Sequence, residues 1–291
     1  KECPAWQVRA VDLPLAPMEA PAPLAPLTAL SPGESAAWRE GRWYHQVLLK
    51  VNYPAAPPVY RTGGCYVIIG GAGGIGVAWT RRLIADYQAQ VYWIGRRPLD
   101  EHIRADIERL ASEGPAPVYL SADARDPQAL RDALAWVQGR HDRVHGVIHA
   151  AMVMRGKSIE RMSREEFGHV LAAKVDTGAA LAEALQQLPL DFLVFFSSIN
   201  AFERSPNQSN YASGCCFIDE LGAYLAQRLT CPVAVLDWGY WEDAGALAGS
   251  PALEVLRERT GAGLIGLSAA VGVVDLALSR PWLRLAGTGQ V

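Results

Sequence analysis

Residues 65–76 read CYVIIGGAGGIG, a short apolar run that passes directly into glycines. A helix-like apolar pattern over 74–87 follows, so the glycines occupy a strand-to-helix turn. In that position a pyrophosphate can approach the backbone closely and meet the positive end of a helix. Two spacings overlap: Gly71, Gly73 and Gly76 fit G-x-G-x-x-G, and Gly70, Gly74 and Gly76 fit G-x-x-x-G-x-G. With Ala72 and Ile75 between them, Gly70, Gly71, Gly74 and Gly76 are candidate dinucleotide contacts. Glycines also serve ordinary tight turns; the strand-turn-helix setting is what gives this pattern weight.

Outward from the turn, short apolar runs alternate with longer amphipathic ones. CYVIIGG, VYWIG, APVYLSAD, VHGVIHA, DFLVFFSS and VAVLDWG are six strand candidates, and helices are expected near 74–87, 101–113, 127–138, 163–187 and 208–228. Parallel strands need crossover connections, so repeated β-α units imply an α/β fold: a doubly wound, mostly parallel Rossmann-type sheet covered by helices on both faces. Runs as continuously hydrophobic as FLVFF agree with burial on both sides. No repeat of solenoid period is present. Ahead of this rhythm, residues 13–33 hold six prolines in an Ala/Leu background, a linker composition. The prolines separate two strand-like pieces, WQVRAVDL and WYHQVLLKVNY, each too small to make a core alone.

With 27 Lys+Arg against 30 Asp+Glu over 291 residues, the net charge is -3, and neither a nucleic-acid footprint nor a polybasic membrane patch is visible. The five cysteines are odd in number and include no C-x-x-C pair, which disfavours a disulfide framework and a structural zinc site and leads us to expect a cytoplasmic setting. No signal-peptide pattern or membrane-spanning run is expected.

At the end of the second strand of the β-α series, where a carboxylate would receive the ribose 2′-hydroxyl of NAD, the chain has Gly95-Arg96-Arg97. A carboxylate would repel a 2′-phosphate, whereas Arg96, with Arg97 beside it, can pair with one through its planar fork, so the expected cofactor is NADPH. The alternative is a solvated arginine pair in a loop. Past the third strand, Asp123 and Ala124 are placed to reach the adenine. Past the fourth, His149, Ala150 and Ala151 are placed to border the cofactor; both placements rest on topology.

Reduction of a carbonyl needs an acid for the developing alkoxide and donors that polarise the oxygen. The fifth strand ends in Ser197-Ser198, and Tyr211 follows at the start of the next helix. A tyrosine is a poor acid at neutral pH unless a cation stabilises its phenolate. Lys174 can supply that cation, because Phe167, Val170, Leu171, Gly178 and Leu181 share its helical face and put it on the apolar stripe. Singly, each has an ordinary explanation: a lysine snorkelling to water, a capping serine, a core tyrosine with a wet tip. Together they form a set.

GGAGGIG, the Arg pair, HAAMV, AAKVDTG, FSSINAF, NYASGCCFIDEL and LDWGYW together resemble a polyketide synthase ketoreductase domain, within the short-chain dehydrogenase/reductase superfamily, over about residues 43–291. That family takes its lysine from the helix before the serine strand, and Lys174 fits. The resemblance implies Tyr211 as proton donor, Ser198 as donor to the substrate oxygen, and Lys174 as the group that lowers the tyrosine pKa and holds the nicotinamide ribose. Lys174 and Tyr211 thus also count among the cofactor contacts. It further implies an NADPH-dependent reduction of a β-keto acyl thioester on an acyl carrier protein, amid neighbouring synthase domains. Reduction of an α-keto or other carbonyl, or a catalytically silent scaffold, are the alternatives. The YASGC form resembles ketoreductases of trans-acyltransferase assembly lines. Residues 1–60 would be the remnant of a structural subdomain and 61–291 the catalytic domain, with a lid near 241–266. Three positions depart from the family: Cys215 stands where Asn is common, Met154-Arg155-Gly156 replaces Leu-Asp-Asp, and Glu203 replaces a tryptophan.

Overall fold

The computed structural model describes residues 8–14, 26–27, 34–50, 54, 56–186, 188–203, 205–245, 249–251, 253–254, 258, 263–279 and 284–287. Most of the Pro-rich stretch and the middle of the expected lid lie outside these residues. In the N-terminal part, β1 (Ala10–Asp12), β2 (Ser35–Arg39) and β3 (Arg42–His45) form a small sheet in that order. A two-residue hairpin loop of type I′ takes left-handed backbone at both positions, and Glu40 and Gly41 supply it with φ of 49° and 76°. Three strands thus stand where two strand-like pieces are expected; SAAWR is too poor in large apolar residues to announce β2.

From residue 65 the chain builds one doubly wound sheet. In chain order come β4 (Cys65–Ile69), α1 (Gly74–Tyr87), β5 (Gln90–Gly95), α2 (Glu101–Ala111), β6 (Val118–Ser121), α3 (Pro127–Gln138) and β7 (Gly146–His149). After them come α4 (Arg164–Ala172), α5 (Val175–Ala184), β8 (Phe192–Ser198), α6 (Asn200–Glu203), α7 (Ser209–Ala226) and β9 (Val233–Trp238). The order closes with β10 (Tyr240–Trp241), β11 (Leu264–Ile265), α8 (Leu267–Ser279) and β12 (Arg284–Gly287). Seven strands lie in the order β12-β9-β8-β7-β4-β5-β6, and every neighbouring pair is parallel. The expected α/β class is what the structure has, with β12 as a seventh strand. Side chains of β4 alternate between two cores: Tyr66 and Ile68 pack with α1, α2 and α8 on one face, Val67 and Ile69 with α3, α5 and α7 on the other.

The winding direction reverses between β4 and β7, whose Ile69 and His149 are register partners at the carboxyl edge. Ligands of open α/β sheets bind at such a reversal. The single helix expected over 163–187 is two, α4 and α5, with a break at Ala173-Lys174. There the backbone tightens: the Lys174 amide donates to the Leu171 carbonyl at 3.0 Å, a three-residue turn that swings the lysine inward.

Candidate active site

At the reversal point the glycine turn is shaped by close approach. Gly70 has φ of +83°, and a Cβ there would lie 2.7 Å from the Ala151 backbone. One on Gly71 would lie 2.1 Å from the Trp93 ring, and one on Gly76 2.5 Å from the Gly71 carbonyl oxygen. The turn is therefore folded on itself and against the β7 loop, and α1 begins at Gly74 behind Gly73, with no side chain capping its free amides. A cleft of about 450 Å³ runs from this turn along the ends of β5 and β6. Gly70, Ala72, Gly74, Ile75, Gly76, Arg96, Arg97, Asp123, Ala124, Ala150 and Ala151 all line it.

Arg96 makes no ion pair among the described residues, whereas Arg97 lies 3.3 Å from Asp100. Asp123 is engaged by a neighbour that the sequence reading did not single out: Arg125 Nε donates to its Oδ1 at 2.9 Å and Nη2 to its Oδ2 at 2.5 Å. Hydrogen bonding from Arg125 is the main reason the Asp123 carboxyl titrates below the usual range. His149 departs from expectation: its side chain is fully buried beneath the cleft, its ring 5.8 Å from that of Phe195. No well-formed hydrogen bond reaches either ring nitrogen, and burial, with Lys174 nearby, pushes its pKa down to about 3. Ala150 and Ala151 reach the cleft and His149 does not, because the alternation of β7 turns its side chain into the core.

Beyond Ala150 and Met152 the cleft adjoins a smaller pocket of about 90 Å³, and Ile75 and Gly245 line both. Lys174, Ser198 and Tyr211 converge on this pocket. Lys174 is 2% exposed, its Nζ donating to the Phe196 carbonyl at 2.8 Å and standing 5.6 Å from the Tyr211 ring centre. Ser198 Oγ accepts from the Asn200 amide at 3.2 Å. The phenol of Tyr211 is buried and donates to Met152 Sδ at 3.7 Å; burial, then Cys215, raises its pKa, while hydrogen bonding with Ser198 opposes the rise. Cys215, one turn below on the same helix face, is wholly buried. The main-chain oxygen of Phe196, not Cys215, is the group that holds the ammonium. Met154 lines the pocket, and Glu203 accepts from the Tyr240 hydroxyl at 3.2 Å. Trp238, Trp241, Ala244 and Leu253 complete the apolar wall; the two tryptophans belong to LDWGYW, and the other two follow it with no signal in the sequence.

An all-parallel doubly wound sheet with a glycine turn at its reversal and a Ser-Tyr-Lys cluster beside it defines a Rossmann-type fold of the short-chain reductase kind, built for a nicotinamide dinucleotide. A family model described as "KR domain" matches residues 64–243, and the chain belongs to that family, the ketoreductase domains. Polyketide synthase PksM of Bacillus subtilis (strain 168) is 39% identical over 282 residues, 97% of this chain and 7% of that protein. Polyketide synthase ThaG of Burkholderia thailandensis is 39% identical over 280 residues, 96% of this chain and 5% of that one. The chain thus spans less than a tenth of these relatives. Among solved structures, the ketoreductase from the first module of phoslactomycin biosynthesis in Streptomyces sp. HK803 superposes with a TM-score of 0.82 at 25% identity, over 97% of this chain and 65% of that one. A ketoreductase domain from the bacillaene assembly line shares the fold, with a TM-score of 0.78 at 24% identity over 88% of this chain and 63% of its own. The ketoreductase resemblance read from the motifs is borne out. No helix among the described residues is long and apolar enough to cross a membrane.

Proposed function

We propose that the chain is the NADPH-dependent ketoreductase domain of a modular polyketide synthase, reducing a β-keto acyl thioester held by an acyl carrier protein to the β-hydroxy acyl thioester. The observation that carries this reading is the convergence of Lys174, Ser198 and Tyr211 on a pocket that opens into the dinucleotide cleft. The cleft suits the cofactor: Gly71 and Gly76 leave no room for a Cβ where the backbone must fold tightly, the first amides of α1 are free, and Arg96 is available for a phosphate. NADPH supplies the hydride. Ser198 donates to the carbonyl oxygen, Tyr211 gives its proton to the alkoxide as it forms, and the Lys174 ammonium beside the ring favours the phenolate left behind. YASGC over 211–215 supports a setting in an assembly line whose acyltransferase acts in trans.

Loss of NADPH absorbance with a surrogate β-keto thioester tests the reading. The native chain should consume NADPH, and Tyr211→Phe should lower kcat by about 100-fold or more. Cofactor binding without consumption by the native chain would refute the enzyme reading, and equal rates for both proteins would refute the role of Tyr211.

A further inference from the structure

Tyr211, Cys215 and Asp219 follow one another at four-residue spacing along the same face of α7, and all three are buried. Below Cys215 the stripe ends on a charged group sunk in the sheet. Arg284 of β12 reaches Asp219 Oδ2 with Nη2 at 2.6 Å and Asp237 Oδ2 with Nε at 2.7 Å, so one guanidinium serves two buried carboxyls. Asp219 and Asp237 are 4% and 0% exposed and flank the same guanidinium. Ser197, the residue before the pocket serine, donates to Asp219 Oδ1 at 2.7 Å. The Phe202 ring of α6 closes the outer side, 4.3 Å from the Arg284 guanidinium carbon.

The charge count decides what this group holds. Two ionised carboxylates on one cation leave a net negative charge in a dry site, and like charges in contact do not both ionise readily. Lys174 and the Tyr211 and Ser197 hydroxyls act on Cys215, and Asp219, Asp237 and Arg284 act on Cys216 of the same helix. Neither thiol brings a positive charge to the pair.

Resting on the reductase reading above, we propose that Asp219 is a positioning residue for the reaction. With Asp237 and Arg284 it anchors the helix that carries Tyr211 to the strand that ends in Ser198, and the two carboxyls share one proton that keeps negative charge from beneath the phenol. Asp237 sits on the same guanidinium as Asp219, so its charge opposes ionisation of Asp219. Burial first, then Asp237, raises the Asp219 carboxyl to about 7. A charge on Asp237 in turn raises the Tyr211 pKa and makes it a weaker acid. Loss of the shared proton therefore slows proton donation as pH rises through about 7.

The test follows kcat and KM for NADPH and a surrogate β-keto thioester from about pH 5.5 to 8.5 in the native chain, Asp219→Asn and Asp219→Ala, beside their melting temperatures. Native kcat should fall about tenfold across the upper part of that range, and the fall should vanish in Asp219→Asn, where an amide replaces the protonated carboxyl. Asp219→Ala should lower kcat about tenfold at every pH while KM for NADPH changes less than about twofold. Independently of turnover, the folded state holds a proton that the unfolded chain releases near pH 4. Native stability relative to Asp219→Asn should therefore fall from there up to about 7 and then level off. Carboxyl NMR of the native chain labelled at aspartate should show the Asp219 carboxyl titrating near 7. No such titration, a melting difference independent of pH, or parallel kcat profiles in native and Asp219→Asn overturns the proposal. Should Asp219→Asn fail to fold, Asp237→Asn replaces it under the same criteria. Absent turnover by the native chain refutes the reductase reading instead, and the titration still judges the pair.

Discussion

Arg96 at the cleft and Gly71 in its glycine turn have different neighbours, and each carries a prediction of its own. With no ion pair among the described residues, Arg96 is the guanidinium at the cleft available to a 2′-phosphate, while Arg97 is spent on Asp100 and Arg125 on Asp123. Replacing Arg96 by Asp puts a carboxylate where that phosphate would sit. KM for NADPH should rise about tenfold or more and that for NADH should change little. An unchanged ratio of the two would remove Arg96 from the phosphate site. Gly71 fails differently: a methyl group there runs into Trp93, which is fully buried and held by its Nε1 donating to Thr80 Oγ1 at 2.8 Å. The ring cannot swing aside. Gly71→Ala should cost about 1–3 kcal/mol, read as a lower melting temperature with or without cofactor.

Among the elements, β12 shows what a four-residue strand at a sheet edge can hold. Its Arg284 is the cation for two carboxyls from α7 and β9, so the edge strand ties α7 to the sheet. Arg284→Met should destabilise the fold by about 3–5 kcal/mol, because both carboxyls would stay buried without their cation. Chemical denaturation at two pH values checks this: the loss should be larger near pH 8.5 than near pH 6, since ionisation of the pair then goes uncompensated. The same residue explains why this strand is hard to see in the sequence. RLAG is four residues long, opens on a charge and ends on glycine, so neither periodicity nor hydrophobicity marks it. The break at Lys174 is hidden for the opposite reason. The apolar stripe runs on through 167–181, and only a backbone turn at Leu171–Lys174 shows that two helices share it. CYVII, VYWIG and FLVFF were legible because burial on both faces of a parallel sheet permits no polar alternation. Lys174, Ser198 and Tyr211 were legible as a set, whereas the burial of His149 and the engagement of Asp123 by Arg125 depend on side-chain direction and loop geometry that spacing does not carry.

For the molecule as a whole, the open question of assembly is where the nucleotide-binding unit begins. The family match starts at residue 64, yet Tyr60, 7% exposed, already belongs to the core. Its ring meets those of Tyr66, Tyr87 and Phe192 at centre distances of 5.6, 5.4 and 5.6 Å, and its hydroxyl accepts from Trp79 Nε1 at 3.1 Å. One residue earlier the Val59 amide donates to Asp275 of α8 at 3.3 Å, so residues 59–60 join β4, α1, β8 and the last helix. We propose that the folding unit starts near residue 56, a few residues ahead of the expected 61–291, so that it includes Val59 and Tyr60. Deleting a buried aromatic of this size costs about 3–5 kcal/mol, or roughly 10 °C in melting temperature for a domain of this length. A chain beginning at residue 56 should melt within a few degrees of the full chain, and one beginning at residue 64 about 10 °C lower. Tyr60→Ala in the full chain should reproduce most of that drop. Equal melting of the chains that start at 56 and 64 would show that Tyr60 covers the core without supporting it, and would move the boundary back to the family match.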